Sequence, residues 1–461
     1  MRVLLVKPYN LSDHIQPSLG LGYLATALRQ DHDVRIVDCI KEKIDAGKLE
    51  KIIRRDRPDV LGMQCYTFDL RFVREALKAA KAANKGIVTM LGGPHPSAMP
   101  GHLMDMLHEN LDFSFLGEAE LSLPRLLAEI DSGAREFLSV PGLAWRDGPR
   151  VVCNPKIMTE DLDSLGIPAW DMIHPEEYPE AQHGAFFKQF PIAPIMVTRG
   201  CPYSCTFCAG SVVSGKKIRR RTADSVLNEI AYLKEEFGIR EFHVIDDNFT
   251  FDASYAKDFL RKLKKMNLGM SWAVPNGIRM DTIDREMLSL MKETGLYLIS
   301  LGIESGSDAV LRSMRKCITK SRIRECVRMI NDAGIDIAGF FILGFPGETI
   351  DTIKETIKFS IELKLVRANF FTYLPFPGSD SYGELEKNDE LKGVDWDNFY
   401  FTADSYIPKG FTRKAIRRFQ RMAFARFYLR PRILFYNIKS IKSLRHFLFL
   451  LKRFMRWIVK S

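Results

Sequence analysis

Thr198-Arg199-Gly200-Cys201-Pro202-Tyr203-Ser204-Cys205-Thr206-Phe207-Cys208 places three cysteines on one short segment. Three thiolates on one loop can each bind one iron of a [4Fe–4S] cube, which leaves the fourth iron without a protein ligand. That open iron can bind a small molecule through an amine and a carboxylate. The spacing of Cys201, Cys205 and Cys208 therefore predicts a cluster with one corner available for a ligand.

A zinc site, a disulfide and a chance arrangement are the alternatives for this segment. Structural zinc sites take four nitrogen or sulfur ligands, and the loop contains no further cysteine or histidine. His183 and His243 both lie well outside it. A chance occurrence of this spacing is improbable with eight cysteines in 461 residues, so the cluster is the favoured interpretation.

Residues 191–385, which contain this segment, alternate strand and helix signals. The predicted strands are Ala193–Thr198, Glu241–Ile245, Ser271–Val274, Tyr297–Leu301, Asp336–Leu343 and Ala368–Leu374. Six such units predict a partial, open (β/α)6 barrel, with its chemistry at the carboxyl ends of the strands.

Residues 1–140 also alternate short apolar runs with amphipathic segments, as in an α/β, doubly wound, Rossmann-like domain. Ligands of such sheets bind beyond the carboxyl ends of the strands. The loops expected there are Pro8–Gly20, Gln64–Asp69, Gly92–Pro100 and Gly117–Glu120. Two of them are rich in glycine and proline, so a large flat ligand can approach the backbone closely. Residues 141–190 carry turn signals and are predicted to be a linker with one small hairpin.

The cysteine segment resembles the signature of the radical S-adenosylmethionine (SAM) superfamily, in which an aromatic residue precedes the last cysteine. Phe207 fills that place, and the similarity runs from about Ala193 to Pro377. It includes Ile245-Asp246-Asp247-Asn248-Phe249, Gly302-Ile303-Glu304-Ser305-Gly306 and Gly344-Phe345-Pro346-Gly347-Glu348-Thr349. The resemblance implies that SAM contacts Phe207, Asp246, Asp247 and Glu304.

The acidic residues of this set allow two interpretations from chemistry alone. Carboxylates at strand ends can accept charge-assisted hydrogen bonds from an ammonium or a ribose diol. They can equally cap the helices that follow. Both interpretations stay open at this point for Asp246, Asp247 and Glu304.

Residues 2–130 resemble the cobalamin-binding domains that precede many radical SAM barrels. A nucleotide-binding Rossmann domain is less favoured, because Gly-x-Gly-x-x-Gly is absent after the first strand. The resemblance implies that cobalamin contacts residues in four loops: Pro17, Ser18, Leu19, Gly20, Gln64, Thr67, Gly92, Gly93, Pro94, His95, Gly117 and Glu118.

The lower ligand of cobalt is expected to differ from that of methionine synthase-type domains, which use Asp-x-His-x-x-Gly. Here Asp13 and His14 are adjacent, and no glycine stands at the required offset. The cobalt is therefore expected to lack a histidine ligand. His95 is interpreted as a hydrogen-bonding residue that orders its loop, with cobalt ligation as the alternative.

Residues 386–461 form a predicted helical, basic C-terminal region. Of the formal net charge of +10, the segment 411–461 contributes 15 Lys and Arg and no Asp or Glu, which leaves 52 basic and 57 acidic residues elsewhere. Its basic residues alternate with aromatic and aliphatic ones, as in helices that lie in a membrane interface. A helix docked on the barrel with solvated charges is the alternative. Nucleic acid is not expected as a partner, since no binding motif accompanies the charge.

The amino terminus lacks a signal-peptide pattern, and the cysteines are too sparse for a disulfide scaffold. We therefore expect a cytoplasmic protein, peripheral on the inner face of the membrane if the C-terminal region binds lipid. No apolar run reaches the ~18–20 residues of a membrane-spanning helix.

The resemblance implies a methyltransferase that acts on an unactivated carbon. A 5′-deoxyadenosyl radical from SAM would remove a hydrogen atom, and methylcobalamin would supply the methyl group. An electron donor such as flavodoxin or ferredoxin is implied, and a lipid or lipid-linked intermediate would suit the C-terminal region. A cobalamin-dependent radical SAM cyclase or ring-rearranging enzyme, and a non-catalytic cobalamin sensor or carrier, are the alternatives.

Overall fold

The computed structural model describes residues 1–10, 15–181, 187–400 and 405–460, with side chains described as far as 452. Its strands are β1 Arg2–Lys7, β2 Asp33–Asp38, β3 Val60–Gln64, β4 Val88–Gly92, β5 Phe113–Phe115, β6 Leu143–Asp147, β7 Arg150–Cys153, β8 Ile192–Ile195, β9 Thr198–Arg199, β10 Arg219–Arg220, β11 Glu241–Val244, β12 Ser271–Ile278, β13 Leu296–Glu304, β14 Asp336–Leu343 and β15 Arg367–Thr372.

Helices connect most of these strands. They are α1 Leu19–Leu28, α2 Ala46–Asp56, α3 Leu70–Ala83, α4 Pro94–Ala98, α5 Pro100–Met106, α6 Ser122–Ser132, α7 Trp170–Ile173, α8 Gly210–Ser214, α9 Ala223–Phe237, α10 Ala253–Met266, α11 Arg285–Glu293, α12 Asp308–Ser313, α13 Lys320–Asp332, α14 Ile350–Glu362, α15 Asp380–Lys387, α16 Arg413–Tyr428, α17 Pro431–Lys439 and α18 Leu444–Lys460.

The first sheet has seven strands in the order β2-β1-β3-β4-β5-β6-β7. Strands β1 to β5 are parallel, and their apolar runs are buried because helices cover the sheet. The hairpin β6–β7 continues the sheet in antiparallel register. The hairpin predicted within 141–190 is therefore present, but it extends the first sheet past the predicted boundary at residue 140.

The second large sheet is a partial barrel of six parallel strands in the order β8-β11-β12-β13-β14-β15. It confirms the predicted (β/α)6 arrangement, with strands paired in chain order. The largest apolar core lies between these strands and their outer helices. The predicted boundary at 385 falls inside α15.

Helix α16 lies along β15, the last strand of the barrel. Gln420 Nε2 donates to the carbonyl of Phe370 at 2.9 Å, and the Tyr428 hydroxyl donates to the carbonyl of Ala368 at 2.8 Å. These bonds satisfy part of a strand edge that would otherwise present unpaired backbone groups. The C-terminal region is helical, as predicted, and in the described part of the chain no helix combines the length and apolar character needed to span a bilayer.

Candidate active site

The three cysteines of the motif lie on the loop between β9 and α8. Gly200 begins the loop at φ +99°, and a Cβ there would stand 2.2 Å from the carbonyl oxygen of Lys217. Only glycine permits this approach. The loop thus turns tightly against the segment that leads into β10.

The three cysteine sulfurs are not gathered closely enough to share a single metal ion. Among the described residues, the three sulfurs do not lie within 4.8 Å of one another. Two sulfurs on one tetrahedral zinc would be about 3.8 Å apart, given a Zn–S distance of about 2.3 Å. All eight cysteines of the chain are free thiols. Of the two histidines named above, His243 bonds the Glu241 carboxylate through Nε2 at 2.7 Å, and His183 lies outside the described residues.

The electrostatic environment of the thiols is mixed. Burial raises the pKa of all three thiols, that of Cys208 to about 11. Lys316 and Arg279 act on Cys205 in the opposite direction and lower its pKa. The backbone N–H of Gly210 points at the Cys208 sulfur, 3.4 Å away. These positive groups would help to hold thiolates on a cluster.

Asp246 accepts hydrogen bonds from the residues that lead into the cysteine loop. Its carboxylate accepts bonds from the backbone N–H groups of Val197 and Thr198 at 2.8 and 2.7 Å, and from the Thr198 hydroxyl at 2.9 Å. Burial raises its pKa to about 7, although these bonds lower it. Asp246 is a predicted SAM contact, but its carboxylate already accepts three hydrogen bonds from the protein.

Asp247 lies between the loop and the cavity described below. One carboxylate oxygen accepts a bond from Gly200 N at 3.2 Å, and the residue raises the pKa of Cys201 and Cys208. The neighbouring Asn248 is buried, and its amide nitrogen and oxygen have no partner among the described residues. Orphaned buried polar atoms of this kind are usually satisfied by a bound ligand or water, which suits a SAM site.

Glu304 and Phe207 come together around Lys316. Glu304 has φ +62° at an irregularity of β13, and its carboxylate pairs with Lys316 Nζ at 2.8 Å. Lys316 Nζ also lies 5.7 Å from the centre of the Phe207 ring. A Cβ at Gly302 would stand 2.7 Å from this Nζ. Lys316 was not predicted, because it follows Glu304 by twelve residues and belongs to no recognisable motif.

The helix-capping interpretation of the acidic residues is wrong. Helix α10, which follows Asp246 and Asp247, is capped by Asp252, and α12, which follows Glu304, begins after Ser307. Asp246 and Asp247 line the cavity described below, whereas Glu304 does not.

The predicted cobalamin loops and the barrel mouth share one cavity of about 2370 Å³. Pockets for one drug-sized ligand measure roughly 300–1,000 Å³, so this space can hold more than one ligand. The barrel contributes Cys208, Asp246 and Asp247 to its lining. Ten predicted cobalamin contacts line it as well: Pro17, Ser18, Leu19, Gly20, Gln64, Gly92, Gly93, Pro94, Gly117 and Glu118.

The glycines of these loops leave room for a ligand close to the backbone. A Cβ added at Gly20 or Gly92 would meet no atom within 4 Å. Gly93 and Gly117 have φ values of +108° and +76°, which glycine adopts readily. An open glycine cradle beyond parallel strands fits a large flat group such as cobalamin.

Thr67 and His95 do not line the cavity. They are buried and bond to each other through the Thr67 hydroxyl and His95 Nδ1 at 3.1 Å. Burial lowers the pKa of His95 to about 4. The arrangement agrees with the loop-ordering interpretation of His95. Asp13 and His14 lie outside the described residues.

Glu118 forms an ion-pair cluster between the first sheet and the cysteine loop. Its carboxylate accepts two bonds from the Arg219 guanidinium, each at 2.7 Å, and lies 3.1 Å from Arg199. Arg199 also pairs with Glu120 at 2.7 Å. Because Arg199 and Arg219 belong to β9 and β10, we call these four residues the interdomain clamp. Sequence reasoning missed both arginines, although Arg199 stands two residues before Cys201.

Aromatic side chains complete the lining between the two domains. The rings of Tyr66 and Phe68 stack with centres 5.0 Å apart, and Tyr400 stacks on Phe68 at 6.5 Å. All three line the cavity. Their contact joins a loop of the first sheet to the segment before α16.

Comparison with known proteins agrees with this arrangement. Residues 12–127 match the B12 binding domain, and residues 195–360 match the Radical SAM superfamily. An uncharacterised methyltransferase of Pyrococcus horikoshii is 31% identical over 96% of this chain and 94% of its own. Cytidylyl-2-hydroxyethylphosphonate methyltransferase of Streptomyces wedmorensis is 29% identical over 78% and 76%, respectively. The anaerobic magnesium-protoporphyrin IX monomethyl ester cyclase of Rubrivivax gelatinosus is 27% identical over 99% and 82%.

Solved structures show the same fold. The radical SAM methyltransferase TsrM from Kitasatospora setae, solved with cobalamin and a [4Fe–4S] cluster bound, matches with a TM-score of 0.69 at 19% identity. The match covers 92% of this chain and 85% of that one. The two domain matches and the similarity to the Pyrococcus horikoshii relative along almost the whole of both chains show the family. The chain belongs to the cobalamin-binding radical SAM methyltransferase-like family.

Proposed function

We propose that the chain is a radical SAM enzyme that transfers a methyl group to an unactivated carbon of an organic substrate. The observation that carries this proposal is the shared cavity, which Cys208 and Asp247 of the barrel line together with ten predicted cobalamin contacts. When bound, the cluster, SAM and cobalamin supply one-electron chemistry and a methyl donor. In this proposal the protein holds all three groups around the shared cavity.

The side chains around the cavity have positioning roles in this proposal. Asp246 and the interdomain clamp fix the cysteine loop, so that Cys201, Cys205 and Cys208 hold the cluster. Glu304 and Lys316 pair with each other next to Phe207, outside the lining of the shared cavity. In this proposal their carboxylate and ammonium bind the amine and carboxylate of SAM. Asp247 and Asn248, which follow β11, supply further polar groups.

Anaerobic reconstitution with iron, sulfide and cobalamin tests the proposal. The reduced protein is incubated with methyl-labelled SAM and extracts of the source cell, and label is followed by mass spectrometry. We expect labelled product together with deoxyadenosine, methionine and S-adenosylhomocysteine. Cys205→Ala should abolish all of these products, whereas Cys317→Ala, an exposed cysteine outside the motif, should retain them.

A cyclase or ring-rearranging enzyme is the second candidate, favoured by the 27% identity to the cyclase along 99% of the chain. Deoxyadenosine without transfer of label would support it and contradict methyl transfer. Absence of deoxyadenosine from protein that carries a complete cluster would instead favour the cobalamin sensor or carrier.

The reductant is proposed to be flavodoxin or ferredoxin. The cluster needs one electron for each SAM that it cleaves, and both proteins are one-electron donors. Replacing dithionite by either protein, with its reductase and NADPH, should sustain deoxyadenosine formation. No product with either carrier, in a sample that dithionite activates, would contradict this assignment.

We also propose that α17 and α18 attach the protein peripherally to an anionic membrane surface. Ile433 of α17 is buried in the barrel core, but Phe435 and Ile438 are 68% and 67% exposed. On α18, Leu444 and Leu448 are 72% and 53% exposed. Exposed apolar side chains among Lys and Arg suit the interface of an anionic bilayer. We call the surface formed by α17 and α18 the apolar basic surface.

Vesicle co-sedimentation tests this attachment. The reconstituted protein should sediment with phosphatidylserine-containing vesicles and much less with phosphatidylcholine vesicles. Phe435→Ser with Ile438→Ser should weaken sedimentation, while Leu138→Ser, at a 77% exposed site elsewhere, should not. Equal recovery in the supernatant with both lipids would support helices that are docked on the barrel with solvated charges.

A further inference from the structure

One wall of the cavity is a single face of α16. The residues of this helix that line the cavity recur at helical spacing: Arg417, Gln420, Arg421, Phe424, Ala425, Tyr428, followed by Leu429 at the helix end. Gln420 and Tyr428 are bonded to the backbone of β15. Arg417 and Arg421 are i,i+4 neighbours on this face, so one ligand group can reach both guanidinium groups.

The side of the cavity that contains α16 is positively charged, together with the neighbouring parts of β15 and α18. Among the described residues from 340 onward, the cavity is lined by Arg367, Arg417, Arg421 and Lys452, and by no Asp or Glu. The acidic residues that line the cavity are Asp69, Glu118, Glu120, Asp246 and Asp247. Four of these five carboxylates already accept bonds within the clamp or at the cysteine loop. A partly enclosed space with a cationic wall concentrates anions.

The same wall is rich in apolar side chains. Phe340, Phe371 and Phe424 line it, and the centres of the first two rings are 5.9 Å apart. Further along, the cavity reaches Leu434, which is 44% exposed, and Leu450 of α18. The cavity thus extends from the cysteine loop to the apolar basic surface. A ligand that fills this part needs an apolar body as well as an acidic group.

We propose that the substrate is an amphiphilic anion, an apolar chain or ring system that carries a carboxylate or a phosphate. Its acidic group binds Arg417 and Arg421, and its apolar part lies along Phe371 and Phe424. Arginine suits both anions because its planar guanidinium can donate two parallel hydrogen bonds. This inference rests on the proposed function and names the substrate class of that reaction.

Calorimetric titration of the reconstituted protein with single-chain probes tests the inference. The probes are laurate, dodecyl phosphate, dodecanol and dodecyltrimethylammonium, each kept below its micelle concentration. We expect one saturable site per chain that binds at least one of the two anions about tenfold or more tightly than the alcohol or the ammonium. The anion that binds more tightly identifies the acidic group.

Matched variants locate the site. Arg417→Gln with Arg421→Gln should weaken anion binding about tenfold or more, because both charge-assisted bonds are lost. Arg418→Gln with Arg426→Gln removes two charges from the same helix at positions that do not line the cavity, and should leave the affinity unchanged. Phe435→Ser, at an exposed residue of α17 that does not line the cavity, should also leave the affinity unchanged, which separates binding in the cavity from adsorption to the exposed side of α17.

Equal affinity for anion and alcohol, or an equal loss in the two arginine pairs, would overturn the inference. These outcomes are separate from failure of the proposed function. Substrate-free cleavage of SAM to deoxyadenosine by the wild-type protein reports the radical chemistry, and the binding measurements do not depend on it.

Discussion

Asp246 should have the largest effect on cluster loading among the acidic residues at the strand ends. Asp246→Asn would turn an amide NH₂ toward donors on Val197 and Thr198, so at least one buried N–H or O–H loses its acceptor. Such a loss costs about 1–3 kcal/mol. We expect lower iron and sulfide content after reconstitution, measured per chain. Asp258→Asn, at an exposed side chain of α10, should load normally, and equal loading of both variants would contradict the bracing role.

His95 should make stability fall in acid. Burial lowers its pKa in the folded protein to about 4, with a smaller contribution from His102, while the unfolded chain has the ordinary value of 6.5. Between these values only the unfolded chain holds the proton, so stability rises with pH there. The contribution of neutral His95 to the free energy of unfolding is complete above pH 6.5. It is lost as the pH falls toward 4, and the total loss is about 3 kcal/mol.

Urea unfolding of the cofactor-free protein at a series of pH values measures this effect. His95→Gln should flatten the change in unfolding free energy between pH 4 and 6.5. His102→Gln, at an exposed site, should keep most of it. An unchanged slope in His95→Gln would show that other groups cause the acid sensitivity.

Residues with a local motif were predictable, and those defined only by the fold were not. Cys201, Cys205 and Cys208 lie within eight consecutive residues, so their spacing alone predicts a cluster. Lys316 reaches Glu304 only because β13 and the loop after α12 meet at the barrel mouth. No periodicity or spacing in the sequence encodes that approach.

At the scale of elements, the interdomain clamp should hold β9 and β10 against the first domain. The Arg219 side chain is 1% exposed and that of Glu118 is 6% exposed. Glu118→Gln leaves a buried guanidinium without its charged partner, which costs about 3–5 kcal/mol. We expect a matching fall in the free energy of unfolding by urea, together with poorer retention of the cluster.

The pair Lys217–Glu160 provides the control for the clamp. Lys217 stands two residues before Arg219, but the side chains of Lys217 and Glu160 are 71% and 65% exposed. Exposed pairs contribute about 0–1 kcal/mol, so Glu160→Gln should change the unfolding free energy little. A comparable loss in the two variants would mean that the clamp has no special role.

Strands were predicted correctly where their burial gives the sequence a continuous apolar run. The barrel strands are buried apolar runs between helices, and all six predicted strands are present. The hairpin β6–β7 was predicted as an isolated feature, because its turn signals are local whereas its pairing with β5 joins residues about thirty positions apart. Chain-local patterns identify a strand but do not specify the sheet that it joins.

At the scale of the whole molecule, the shared cavity makes the two domains one binding unit. Sequence comparison separates a B12 binding domain from a Radical SAM domain, and neither pattern shows that both line one space of about 2370 Å³. The size of that space and the contribution of α16 depend on packing between distant segments. They could not be predicted from either domain alone.

Cobalamin binding should therefore protect the barrel as well as the first domain from hydrogen exchange. A ligand at 100 times its dissociation constant stabilises the folded state by about 2.7 kcal/mol. If the clamp and the aromatic contact of Phe68 with Tyr400 couple the domains, slow-exchanging amides of β11 to β15 should gain protection when hydroxocobalamin is added to cluster-free protein. Mass spectrometry of peptic peptides measures this directly. Glu118→Gln should confine the gain to residues before 154, whereas Glu160→Gln should leave it spread over both domains. Protection confined to the first domain in the wild-type protein would show that the two cores open independently and that the shared cavity does not couple them.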